Sequence, residues 1–179
     1  MFFVLFLMEA PMMIKISNLN EGVHYLTFEG DIKELELKEP FTGKYNAEVK
    51  LNKLHNRIIL DINLKTTADF DCDRCGINFN CSLQNNFQMV YLFGDSPEGN
   101  DSDNIIYLPL DADKIKLDKE LRDYAILSVP MKKLCNEDCK GLCYSCGKNL
   151  NNGSCKCETK QADHRWQPLI ELKNKVNFN

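Results

Sequence analysis

Histidine is scarce in this chain of 179 residues. The three, His24, His55 and His164, have no Ser or Cys placed to suggest a nucleophilic triad. No GxGxxG or GxxxxGK[ST] stretch occurs, so these phosphate-cradling turns are excluded. No segment repeats at a period of about 20 to 50 residues. The apolar run Met1–Met8 is too short for a bilayer, which needs about 20 residues, and no Lys or Arg precedes it as in a secretory signal. Two readings of this run stand: a loose apolar tail, or translated upstream sequence with the start at Met12 or Met13. Under either, the chain is expected to be cytoplasmic, with no membrane partner and no small-molecule substrate.

An excess of positive charge is also missing, because the formal net charge is −4. That argues against simple nucleic-acid binding, but the distribution is uneven. Residues 131–179 carry nine Lys or Arg against five Asp or Glu, while the first 130 residues carry 13 against 21.

What the chain has is cysteine, nine in all, six of them between Leu134 and Glu158. The apolar share of 44% and charged share of 27% are those of an ordinary globular protein. Tyr45, Ala47, Val49 and Leu51 alternate with polar residues, and Ile58, Leu60, Ile62 and Leu64 resume the alternation after NKLHN, which reads as a hairpin link. Phe79, Cys81 and Leu83, then Phe87, Met89, Tyr91 and Phe93, repeat the period of two. The loop 94–104 reads as solvated and disordered, and IIYLPL as a short strand. DKELRDYAILS reads as a helix with Asp118 as N-cap, a face of Leu121, Tyr124, Ala125 and Ser128, and an end at Pro130.

The expected fold is α+β and β-rich: an antiparallel meander with a packed helix and a C-terminal zinc module. The organisation that follows is an apolar extension at 1–12, a β-rich domain at 13–130, a zinc module at 131–160, and a tail or helix at 161–179.

Cys81 is in phase with Ile77, Phe79 and Leu83 and is read as a small core residue. The other eight form four pairs, enough for two tetrahedral sites. Zinc takes four thiolates at about 2.3 Å, and a C-x-x-C turn aims two sulfurs at one point. Gly76 and Gly147, directly after the second ligand of each such turn, permit the positive φ these turns often need. Cys143, Cys146, Cys155 and Cys157 are closest in sequence and form one expected site. Cys72, Cys75, Cys135 and Cys139 form the other. Iron satisfies the same spacing. A thioredoxin-like redox pair needs a βαβ context that is missing here, and a closed four-thiolate site leaves no position for a substrate. The chain is therefore read as non-enzymatic.

CDRC at 72–75, a helix ending before a proline, Cys135, CKGLC at 139–143, CG at 146–147, NLN at 149–151 and CKC at 155–157 together resemble the YceD-like proteins, described as large ribosomal RNA subunit accumulation proteins. The resemblance covers the order of elements from about Met13 to the end. It implies a role in accumulation of 23S ribosomal RNA, hence in large-subunit assembly, without enzymatic activity. The family commonly shows Asp-Pro-Arg where this chain has Asp163, His164 and Arg165. Some members keep the Cys-x-Arg-Cys turn but lack most of the later cysteines, which suggests that the shared role lies nearer Arg74.

Contact with RNA would draw on Arg74, Lys132, Lys133, Lys140, Lys148, Lys156, Lys160 and Arg165, with Tyr144 and Trp166 for stacking. Each zinc with four thiolates carries a formal −2, which offsets part of the basic balance. The other readings are an adaptor or holdase that receives a basic ribosomal protein on the acidic β-domain, a charged surface with no ligand, and a redox-sensing zinc switch. The expected partner is large-subunit rRNA, a ribosomal protein or a pre-ribosomal particle.

Overall fold

The computed structural model describes residues 12–95, 104–157, 164–166, 168–169 and 171–172. The chain forms two compact units, the first ending at Cys135 and the second starting at Asn136.

In the first unit the alternating stretches become long strands. β1 is Met13–Lys15 and β2 is Gly22–Asp31. β3 is Phe41–Leu54, β4 is Arg57–Asp71 and β5 is Asn78–Phe93. β6 (Ile105–Leu108) and β7 (Lys114–Lys116) are short. A five-stranded sheet runs β2-β3-β4-β5-β6. Neighbours pair antiparallel except β6, which lies parallel to β5, so the expected meander is capped by a parallel edge.

Period-two patterning sets which face is covered. Tyr45, Ala47, Val49 and Leu51 of β3, Ile58 to Phe70 at every second position of β4, and Leu83, Met89 and Tyr91 of β5 are buried. Leu51 faces Leu60, and Leu60 faces Met89, so the same three strands supply the middle of the core. The opposite face is polar and laced by cross-strand bonds, including Asn46 to Glu29 at 2.7 Å, Asn80 to Asp69 at 2.7 Å and Gln88 to Asp61 at 2.6 Å.

Three pieces contribute further residues to that core. β1 and β7 pair antiparallel, Ile14 opposite Ile115, and both are buried. Residues Ile32–Leu35 form a 3-10 helix capped by Asp31, whose side chain accepts from the Lys33 amide while Glu34 accepts from the Asp31 amide. Helix α1, Asp118–Leu127, buries Leu121 and Ala125, and its Tyr124 ring stacks on Phe87 at 3.7 Å between centroids.

Several expectations need correction or placement. Asp118 does not cap α1: the N-cap is Leu117, and the Asp118 carboxylate accepts from the Met12 amide at 3.0 Å. Met12 is thereby part of the fold, and residues 1–11 of the apolar extension lie outside the described residues. The NKLHN link shrinks to the two-residue turn His55–Asn56, because Asn52, Lys53 and Leu54 continue β3. Cys81 faces inward in phase but is only half-buried. Most of the loop 94–104 and most of the tail beyond Cys157 lie outside the described residues.

Candidate metal centre

The strand pair β4–β5 ends in the turn that carries Cys72 and Cys75. The Cys72 amide donates to the Ile77 carbonyl at 2.9 Å, and the Gly76 amide donates back to the Cys72 carbonyl at 2.8 Å. The turn closes only with Gly76 at φ 69°, a left-handed conformation that glycine adopts without strain. The second unit repeats the device. There the Cys143 amide donates to the Lys148 carbonyl at 2.8 Å, the Gly147 amide donates to the Cys143 carbonyl at 2.8 Å, and Gly147 has φ 70°. Two C-x-x-C-G sequences thus fold into the same hydrogen-bonded knuckle.

Cys135 reaches the first knuckle through its own neighbours. Asp73, inside the turn, donates its amide to the Lys133 carbonyl at 2.8 Å and accepts the Lys133 amide on its carboxylate at 2.6 Å. The Lys133 ammonium lies 5.4 Å over the Phe70 ring. These contacts bring the Cys75 and Cys135 sulfurs to 3.6 Å. Asp73 was not singled out by its type, since any residue fits the variable positions of C-x-x-C.

Among the described residues two groups of sulfurs converge: Cys72, Cys75, Cys135 and Cys139, and Cys143, Cys146, Cys155 and Cys157. Within each group the sulfurs all lie within 4.8 Å of one another. The Cys143 and Cys155 sulfurs are 3.4 Å apart. Four sulfurs about 2.3 Å from a central ion would be about 3.8 Å from each other, whereas a disulfide holds its two at about 2.05 Å. All nine cysteines are free thiols. Each group could hold a metal ion.

Electrostatics favour a cation in both places. At Cys72 burial pushes the thiol up, but the amides of Cys135, Arg74 and Cys75 outweigh it and bring the pKa down to about 6. At Cys143 the amides of Cys146 and Ser145 and the Cys155 thiol prevail over burial, again to about 6. Cys157 is pushed up to about 12, first by its hydrogen bond with Cys146, then by burial and by Cys143 and Cys155. Four thiols this close cannot all ionise against one another, and a divalent ion removes that conflict. The groups differ in access: Cys72, Cys75 and Cys139 are buried, whereas Cys146 and Cys157 are exposed.

The other singled-out residues fall in both units. Arg74 and Lys132 are exposed in the first unit, where Lys133 is half-buried over Phe70. Lys140, Tyr144, Lys148 and Lys156 are exposed in the second, where the Lys148 ammonium donates to the Ser154 carbonyl at 2.8 Å. Arg165 and Trp166 are exposed, and Lys160 lies outside the described residues. His24 bonds the Asn20 carbonyl at 2.9 Å, and His55 lies 3.5 Å from Glu21. A trough of about 620 Å³ crosses the polar face of the sheet, lined by residues that include Tyr25, Glu48, Lys50 and Asp61. Its centre is about ten strand residues from the first knuckle, or roughly 30 Å. Among the described residues no helix is long and apolar enough to cross a membrane.

Besides Asp73, two residues of the second unit were missed as functional residues. Asn149 and Asn151 tie the link between Cys146 and Cys155 to the stretch after Cys139: Asn151 donates to the Cys139 sulfur at 3.3 Å and accepts the Lys140 amide at 2.8 Å. The NLN spelling was the available signal, and nothing in it says which sulfur the amide meets.

Comparison with known proteins gives these residues a setting. A chloroplastic protein of Arabidopsis thaliana named large ribosomal RNA subunit accumulation protein YCED homolog 1 is 27% identical over 172 residues, covering 82% of this chain. The protein of the same name from Zea mays is 31% identical over 98 residues, or 54% of this chain. The chain spans about half, 52%, of the length of the first and 30% of the second. No solved structure is significantly similar. Residues 60–173 match the profile of the family described as large ribosomal RNA subunit accumulation protein YceD, a span that contains all eight clustered cysteines. With well over half of its length inside that match, the chain belongs to the YceD family.

Proposed function

We propose that the chain is a non-enzymatic factor in biogenesis of the large ribosomal subunit, supporting accumulation of 23S rRNA by binding rRNA or a pre-ribosomal particle. Family membership carries this reading, because the family is described by large ribosomal RNA subunit accumulation. Each cysteine group holds one structural zinc ion. Thiolate-only donors suit that ion, and four of them leave no coordination position for a substrate or an activated water. The metal builds and holds a surface; it performs no reaction. Nine free thiols fit a reducing compartment, and we place the protein in the cytoplasm.

On this reading Arg74 and Lys132 in the first unit, and Lys140, Lys156 and Tyr144 in the second, supply phosphate contacts and a stacking ring. Ultraviolet crosslinking in cells followed by RNA sequencing tests it: enrichment of large-subunit rRNA over background supports direct contact.

The uneven charge favours a second reading, an adaptor that receives a basic ribosomal protein. The first 130 residues carry 21 acids against 13 bases. Absence of crosslinked rRNA, together with copurifying ribosomal proteins, would select the adaptor.

A further inference from the structure

The link between Cys146 and Cys155 does more than span the gap between two sulfurs. It lies alongside the stretch that follows Cys139. Leu142 and Asn149 form an antiparallel bridge, and the Leu150 amide donates to the Gly141 carbonyl at 2.9 Å. One step further, the Asn151 side chain meets Lys140 and Cys139 together.

The orientation of that side chain follows from its neighbours. A backbone amide only donates, so the oxygen of Asn151 must face Lys140, at 2.8 Å. Its NH2 group is then left to donate to the Cys139 sulfur at 3.3 Å and to the Asn149 side-chain oxygen at 2.9 Å. The same Asn149 oxygen also accepts the Asn151 backbone amide at 2.9 Å. The amide is therefore fixed at both ends, with an N–H aimed at a thiol of one cysteine group from a loop whose two ends are ligands of the other. Donors to a coordinating sulfur set its orientation and reduce its excess negative charge.

We propose that Asn151 is a positioning residue that couples the two metal centres, so that an ion held by Cys143, Cys146, Cys155 and Cys157 strengthens binding at the group containing Cys139. Holding Cys146 and Cys155 on one ion removes the freedom of the link between them, and the Asn151 amide then meets Cys139 already oriented. The proposal rests on the reading of both groups as metal centres.

The test uses the full-length chain, stripped of metal and titrated with Co(II) and with Zn(II) against a competing chelator, with native mass spectrometry counting ions. Asn151→Ala should keep two ions, weaken one of them about tenfold or more, and shift the sulfur-to-cobalt charge-transfer band. Asn151→Asp keeps an acceptor for the Lys140 amide but sets a carboxylate oxygen against the sulfur. It should weaken the ion at least as much, whereas a residue that only braced Lys140 would tolerate this change. The double variant Cys155→Ser/Cys157→Ser should weaken the remaining ion by a similar factor, and adding Asn151→Ala to it should cost nothing more. Unchanged affinity and band in Asn151→Ala, or strictly additive losses, would overturn the coupling while leaving two metal centres in place. Wild-type protein that takes up no ion would overturn the metal reading and the coupling together.

Discussion

Cys75 and Cys135 are sixty positions apart in the chain, and their sulfurs are 3.6 Å apart. Paired bonds between Asp73 and Lys133 join the two stretches that carry these cysteines. Cys135→Ser should therefore remove one metal ion and leave the other, so that native mass spectrometry falls from two ions per chain to one. Asp73→Ala should keep both ions but weaken one of them, since it removes an oriented acceptor and no ligand.

The two groups should also differ in how readily they lose metal. Cys146 and Cys157 are exposed, whereas three of the four sulfurs around Cys72 are buried. On chelation followed by cysteine alkylation and peptide mapping, Cys143, Cys146, Cys155 and Cys157 should be labelled first. Simultaneous labelling of all eight would contradict this order.

Gly30 has no room for a methyl group. A Cβ there would lie 2.5 Å from the Tyr45 hydroxyl and 2.8 Å from its ring carbon, with the Glu34 carboxylate on the same side. Tyr45 is buried in the core, so its ring has little freedom to give. Gly30→Ala should destabilise the first unit by about 1 to 3 kcal/mol, read from urea denaturation, without changing the ion count.

Glu120 supplies a pH test. Burial, with the Asp123 and Asp118 charges adding to it, raises its carboxyl above the ordinary value despite the opposing backbone bond and Lys119. An acid whose pKa is higher folded than unfolded favours the folded state only while protonated. Stability is therefore lost as pH rises through the carboxylate range. Glu120→Gln should stabilise the protein at neutral pH, and the gain should vanish below about pH 4, where the unfolded chain is protonated too. A gain of equal size at both pH values would refute the assignment.

Much of the sheet could be read directly because its information is local. In β3, β4 and β5 each buried residue is followed by a more exposed one, and the alternation announces strand, face and core together. The details that escaped depend on distant partners. Lys53 looks like part of a polar link, yet it continues β3, and its ammonium binds the Ile16 and Leu19 carbonyls at 2.8 and 2.7 Å. Asp118 has the spelling of a helix cap, yet its carboxylate answers an amide 106 positions away. Cys81 has the right phase, but phase gives direction and not depth. For the metal centre, spacing pointed to thiolates in turns, while the hydrogen bonds that aim them come from Asp73, Asn149 and Asn151, ordinary loop residues by type.

The pairing of β1 with β7 has a consequence for how the chain is made. Each of β3, β4 and β5 finds a partner in the strand just before it and can zip up within a hairpin soon after it is synthesised. Ile14 has to wait for Ile115, and Met12 for Asp118. Until about residue 118 has left the ribosome, Met12 and Ile14 lack these partners beside a half-built sheet. Closing so long a loop adds little to its entropic cost compared with a loop half the length. The delay is therefore set by translation, and β1 waits for its partner through the interval between finishing β5 and finishing β7.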